Sequence, residues 1–204
     1  LAGLESALDR AEADDVSAVV IVGRDGKFSA GFDLKVMTSG PEGARDMLGR
    51  GALLGLRMYM FPKPVVLAVT GHALAMGAIL LCCADVRVGA DGPFKIGLNE
   101  VAIGMPVPGF AVGVCQDRLA IPAFTAAIQL ARIHSPAEAL AAGFLDEVVD
   151  VAAVRDRAVE VAAELGTRLH RGPFRVTRET VRGPVAERLR SELAADLSVF
   201  DVSS

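Results

Sequence analysis

The chain has 204 residues, 52% apolar and 23% charged, which is ample for a buried core and far from a disordered composition. Its formal net charge is −4 with no long basic run, so the electrostatic footprint of a nucleic-acid binder is missing. The three cysteines (Cys82, Cys83 and Cys115) lie in apolar surroundings without zinc-ligand spacing; they are expected to be buried free thiols of a reducing, cytoplasmic compartment, and no metal site is expected.

Leu1 to Asp14 carries Leu4, Ala7, Leu8 and Ala11 on one helical face. It reads as an amphipathic helix rather than a signal peptide. Ser17 to Gly23 is a continuous apolar run suited to a strand covered on both sides, followed by a glycine-bearing loop to Asp33. Residues 42–60 read as a second helix, stopped by Phe61-Pro62-Lys63-Pro64. From Pro64 to Ala84 there is no Asp, Glu, Lys or Arg, a length that could span a membrane. Yet its first part is β-branched and its second part, from Met76 to Cys83, helix-like, with Gly71-His72 between. A buried strand over 65–70, a turn, and a helix beginning near Ala75 are predicted instead, and no membrane span.

Short strands are expected at 85–89 and 94–96, then a helical stretch over 109–131 interrupted at Pro122. Ser135-Pro136-Ala137-Glu138 is a capping signature, with Ser at N-cap, Pro at N1 and Glu at N3. That helix should end at Gly143 and be followed by a strand to Val149. The remainder reads as two helices with a break around Gly172-Pro173. Strands alternating with helices predict an α/β fold, divided into a core over 1–150 and a C-terminal helical region over 151–204.

Three segments carry candidate chemistry: Phe28-Ser-Ala-Gly-Phe-Asp-Leu-Lys35, Val69-Thr-Gly-His-Ala-Leu-Ala-Met-Gly-Ala78, and Lys95-Ile-Gly-Leu-Asn-Glu-Val-Ala-Ile-Gly-Met105. In the second, a strand turns into a helix whose unpaired N–H groups and dipole favour developing negative charge. Tight helix–sheet packing would use the same small residues. In the third, Glu100 sits among Leu98, Val101, Ile103 and Met105. Burial there would raise its carboxyl pKa and suit it to proton transfer near neutrality; alone, it could equally cap a surface turn. His72 reads as a structural strand-end histidine, Asp33 as a cap or brace of its loop, and Lys35 and Arg24 as candidate partners for phosphate groups. Asp117 and Glu147 have no evident acid–base partner.

In this order and spacing the three segments resemble the crotonase superfamily of enoyl-CoA hydratases and isomerases. The resemblance covers residues 1–150 well and the helical tail loosely. It implies a β-β-α spiral of the ClpP/crotonase type and an acyl-CoA substrate, with coenzyme A as part of that thioester and no separate cofactor. It implies homotrimers or dimers of trimers. It also implies an oxyanion hole made by the backbone N–H groups of Phe32 and Met76, with Glu100 as the catalytic carboxylate. Ala30, Gly31, Asp33, Lys35, Ala75, Gly77 and Ile79 would surround the bound substrate.

The family's hydratases hold a water between two glutamates, and the position of the first is occupied here by Ile79. An aliphatic side chain cannot handle a proton, so the pattern is similar to the Δ3,Δ2-enoyl-CoA isomerases, in which one carboxylate suffices. Hydratase, other lyase or hydrolase activity and non-catalytic acyl-CoA binding are the alternatives. The turn at Gly71–Gly77 also resembles the nucleophile turn of Clp-type serine peptidases, but Ala75 stands where the serine would be, so no acyl-enzyme can form.

Overall fold

The computed structural model describes residues 1–37 and 40–199. The chain winds as a spiral of two strands followed by helix. Strands β1 (Val19–Val22), β3 (Val65–Val69), β5 (Val86–Ala90) and β7 (Glu147–Val149) form one all-parallel sheet in the order β1-β3-β5-β7. Strands β2 (Gly26–Ser29), β4 (Gly71–Leu74) and β6 (Ile96–Gly97) form a second parallel sheet in the order β2-β4-β6. The first three large-sheet strands are thus each continued in the small sheet before the chain turns into helix, while β7 leads on into α8 (Val154–Arg168).

All five residues of β3 are buried, because both its faces are covered. Val65, Leu67 and Val69 join the main core with Leu56, Leu81 and Phe110. Val66 and Ala68 face the other way, against Val154, Ala158, Val161 and Ala162 of helix α8 (Val154–Arg168). Full burial of one such aliphatic side chain contributes about 1.5–3 kcal/mol, which is why a continuous apolar run, rather than an alternating one, encodes this strand.

Helices α1 (Ala2–Ala13), α2 (Leu34–Met37), α3 (Pro41–Tyr59), α4 (Met76–Cys83), α5 (Gly109–Arg118), α6 (Ile121–Ile128) and α7 (Pro136–Ala142) complete the core region. The uncharged run Pro64–Ala84 is therefore β3, β4 and α4, and among the described residues no helix is long and apolar enough to cross a membrane. The capping box of α7 is complete: the Ser135 N–H donates to Glu138 Oε2 at 2.8 Å, and the Glu138 N–H to Ser135 Oγ at 3.4 Å. The Ser135 N–H, with Arg132 and the Ser135 hydroxyl, holds the Glu138 carboxyl down at about 2.

Helix α9 (Arg171–Val199) packs on α3 and α5. Asp85, at the end of α4, ties it down, its carboxylate accepting from Arg178 at 2.6 Å, pairing with Arg182 at 3.2 Å and taking the Val65 N–H at 2.8 Å. Arg178 also donates to the Phe61 carbonyl at 2.7 Å.

The structure corrects several expectations. Residues 23–33 are not all loop and 71–72 not merely a turn, since β2 and β4 run through them as partners in the small sheet. The helical break expected at Pro122 falls at Leu119-Ala120, and Pro122 lies in the first turn of α6. The break expected at Gly172-Pro173 falls at Leu169-His170, with Pro173 inside α9's first turn. In both places proline starts a helix rather than ending one, because its missing N–H would be unpaired there anyway. The strand expected over 144–149 shortens to Glu147–Val149, while Phe144 and Leu145 are core residues.

Candidate active site

After β2 the chain passes through Ala30–Asp33 into α2. Gly31 has φ +94°, a left-handed conformation that glycine adopts without steric cost. A Cβ built on Gly31 would lie 2.9 Å from Ala75 Cβ and 3.6 Å from the Met76 nitrogen, so this loop lies directly against the β4–α4 turn. Asp33 caps α2: its carboxylate accepts the Lys35 N–H at 2.9 Å and its carbonyl the Met37 N–H at 3.0 Å.

On the opposite side, Ala75 has φ 51° and ψ −126°, a conformation that costs a non-glycine residue of order 1–3 kcal/mol. Its own N–H donates to the Gly97 carbonyl at 3.1 Å, and its carbonyl accepts from Ala78 at 2.9 Å and Ile79 at 3.1 Å. The turn thereby aims the first N–H groups of α4 outward. Among the described residues, no acceptor takes the N–H of Phe32 or of Met76.

Pairing of β4 with β6 (Ala73 with Ile96, Leu74 with Gly97) delivers Leu98-Asn99-Glu100 to the same place. Glu100 is 7% exposed. Its carbonyl accepts from Ile103 at 3.0 Å and Met105 at 2.9 Å, anchoring its backbone. Burial pushes its carboxyl above the ordinary range, and the N–H groups of Glu100 and Asn99 pull only partly the other way. Its Oε2 atom is buried with no partner among the described residues, a costly arrangement that structures seldom keep without a use.

A cavity of about 320 Å³ joins these parts. Phe32, Ala75, Met76 and Ala30 form one side, Asn99 and Glu100 another, and Ile79, Met37, Leu48, Leu74, Ile103, Met105, Pro108 and Phe110 the remaining walls. Among the described residues, Glu100 is the only ionisable side chain lining it, and Ile79, 2% exposed, is one of its apolar walls. A neighbouring cavity of about 340 Å³ shares Phe32 and Met76 and is bordered by Gly31 and Asp33.

Of the residues singled out in the sequence, the structure brings Ala30, Phe32, Ala75, Met76, Ile79 and Glu100 to one cavity, and Gly31 and Asp33 to its neighbour. Gly77 and Lys35 line neither. Gly77 packs against Ser29, whose Cβ would be 2.8 Å from an added methyl, and Lys35 is exposed. Met37, Leu48 and Phe110, from three separate helices, were not legible as walls. His72 accepts the Lys95 N–H at Nδ1 (2.9 Å) and meets Phe94 edge-on, a structural role. Asp117 accepts the Tyr59 hydroxyl at 2.6 Å, and Glu147 pairs with Arg157 at 2.8 Å. The three thiols are free and buried.

A family model described as enoyl-CoA hydratase/isomerase matches residues 1–203. The chain belongs to the enoyl-CoA hydratase/isomerase family. Among curated members, it is 33% identical to mouse mitochondrial enoyl-CoA delta isomerase 1 over 178 residues, covering 86% of this chain and 61% of that protein. It is 40% identical to a probable enoyl-CoA hydratase of Bacillus subtilis over 111 residues, covering 53% and 42%. The chain thus spans less than two thirds of both relatives. Among solved structures, an enoyl-CoA hydratase/isomerase family protein from Pseudomonas syringae superposes with TM-score 0.95 at 39% identity, covering 98% of this chain and 86% of that one. Human mitochondrial delta3-delta2-enoyl-CoA isomerase superposes with TM-score 0.90 at 29% identity, covering 97% and 78%. The fold is the crotonase-type α/β spiral with a C-terminal helical region, as the sequence resemblance implied.

Proposed function

We propose that this family member isomerises 3-enoyl-CoA thioesters to 2-enoyl-CoA thioesters, with Glu100 carrying the proton and the Phe32 and Met76 N–H groups holding the thioester oxygen. The observation that carries the reading is the cavity's single ionisable group. A carboxylate there takes a proton from C2 of the substrate, the electrons spread over a dienolate, and the same carboxyl returns the proton at C4. Every bond change is balanced by one shuttled proton, and the reaction is redox-neutral.

Negative charge accumulates on the thioester oxygen as the C2 proton leaves. Two N–H groups in a largely apolar-walled cavity would stabilise that charge, and removal of one such donor typically costs about 2.7–4 kcal/mol of barrier. The raised pKa of Glu100 brings its basicity closer to neutrality, where proton transfer in both directions is easiest. Ala30, Ala75 and Ile79 shape the acyl space, Gly31 and Asp33 set the neighbouring loop, and Gly77 lets α4 approach Ser29. Exposed Lys35 would meet phosphate groups of the coenzyme A portion in this reading. Assembly into trimers or pairs of trimers, and residence in the reducing cytoplasm, complete the proposal; light scattering tests the first.

Hydration is the second reading, favoured by the identity to a probable hydratase. Purified protein incubated with 3-enoyl-CoA and 2-enoyl-CoA of several chain lengths separates the two. Isomerisation predicts conjugated product from the first and little 3-hydroxyacyl-CoA from the second. Fast hydration would reverse the order, and binding without conversion would make the protein an acyl-CoA carrier.

A further inference from the structure

Helix α3 contains Gly49, Gly51 and Gly55, although glycine inside a helix is disfavoured relative to alanine. Gly51 is buried, and the Phe32 ring fills the space where its side chain would stand. An added Cβ would fall 2.6 Å from Phe32 Cε1 and closer still to Cζ. At Gly55, one turn further on, an added Cβ would meet Cys83 Sγ at 3.4 Å, Met76 Cε at 3.6 Å and Phe110 Cε2 at 3.8 Å, which are ordinary contact distances. The helix is therefore notched at Gly51 in particular.

We propose that Gly51 is a positioning residue: it seats the Phe32 ring and so fixes where the Phe32 N–H points. This rests on the reading of that N–H as an oxyanion donor. The loop backbone is already held on both sides of Phe32, by Gly31 packed on Ala75 and by Asp33 capping α2. The ring is its third anchor, packed against Met37 of α2 and Ala44 and Leu48 of α3. A methyl group at Gly51 leaves the ring no room in its present position, and a displaced ring no longer holds the Phe32 backbone, so the Phe32 N–H loses its fixed direction. A smaller side chain at position 32 removes the conflict.

The test compares wild type, Gly51→Ala, Phe32→Leu, the double variant and Gly55→Ala, after thermal melting confirms which are folded. Two readouts are used: turnover of 3-enoyl-CoA, and the red shift of bound hexadienoyl-CoA, a conjugated thioester whose absorbance moves when its carbonyl is polarised. Gly51→Ala is expected to lower kcat by about ten-fold or more, within the 10²–10³ that loss of a whole donor costs, and to diminish the red shift while acyl-CoA affinity changes little. The double variant should recover most of both, a rescue that mere loss of stability would not give. Gly55→Ala should retain both. A Gly51→Ala protein with the full red shift, or one that loses affinity alone, would overturn the proposal and leave the isomerase reading standing. Wild type that binds the probe with no red shift would overturn the oxyanion hole itself, and this proposal with it.

Discussion

Replacing Glu100 with glutamine separates proton transfer from binding and from folding in one variant. Gln keeps the length of the side chain and an acceptor for the Asn99 and Glu100 N–H groups, but it cannot accept the substrate proton. A positioned general base contributes about 10²–10⁴ in rate, so kcat for 3-enoyl-CoA should fall by that factor. Acyl-CoA affinity should change less than about three-fold, since under the proposed function it draws on the Phe32 and Met76 N–H groups and apolar walls. Stability should move the other way. Glu100 is 7% exposed and one oxygen has no partner, so at neutral pH the folded state bears part of the cost of a buried charge. Removing that charge should gain about 1 kcal/mol, or roughly 2–4 °C in Tm for a chain of this size. Turnover is followed by the absorbance of the conjugated thioester, affinity by calorimetric titration and stability by scanning calorimetry. Near-wild-type turnover in Glu100→Gln, or a Tm lowered by several degrees, would refute the reasoning.

Three other outcomes follow from the structure. Burial raises the Glu100 carboxyl, so kcat should lose activity on the acid side through that raised pKa, and the limb should disappear in Glu100→Gln. The folded state then binds more protons than the unfolded one between the unfolded and folded pKa values, so this residue's contribution to stability declines as pH rises through that window. Ile79→Glu adds a second proton-handling group to the same cavity and should raise 3-hydroxyacyl-CoA formation from 2-enoyl-CoA by roughly 10²-fold; fast hydration by wild type would defeat the one-carboxylate premise. Arg178→Ala removes the shortest of Asp85's charged partners while Arg182 and the Val65 N–H remain, and should cost about 1.5–3 kcal/mol, seen as a Tm lower by roughly 3–12 °C. A loss under about 1 kcal/mol would mean the Asp85 cluster does not hold α9.

Where one local signal sufficed, the sequence could be read directly. The uninterrupted apolar run at 65–69 encodes a strand covered on two faces, and Ser135 with Glu138 encodes a helix start that the structure reproduces bond for bond. The small sheet was hidden because its strands have four residues or fewer and contain Gly26, Gly71 and Gly97, so only their mutual pairing marks them. The site divided in the same way. Two N–H groups without an acceptor among the described residues and a carboxylate in apolar company are properties of their own segments. The walls from Met37, Leu48 and Phe110 depend on how three helices are rotated against the spiral, which tertiary packing decides. Lys35 and Gly77 were named from their position along a motif, and neither lines the two cavities: Lys35 is exposed and Gly77 packs against Ser29.

The central claim is that one carboxylate moves one proton from C2 to C4. A 3-enoyl-CoA bearing deuterium at C2, converted in ordinary water and examined by mass spectrometry and NMR at early conversion, tests it most directly. Because Glu100 is 7% exposed in a cavity whose other lining side chains, Asn99 apart, are apolar, the deuteron it removes exchanges slowly with water, and the product should carry deuterium at C4 well above the solvent level. Product whose C4 hydrogen comes wholly from water would contradict a single shuttling carboxylate and require a second proton donor.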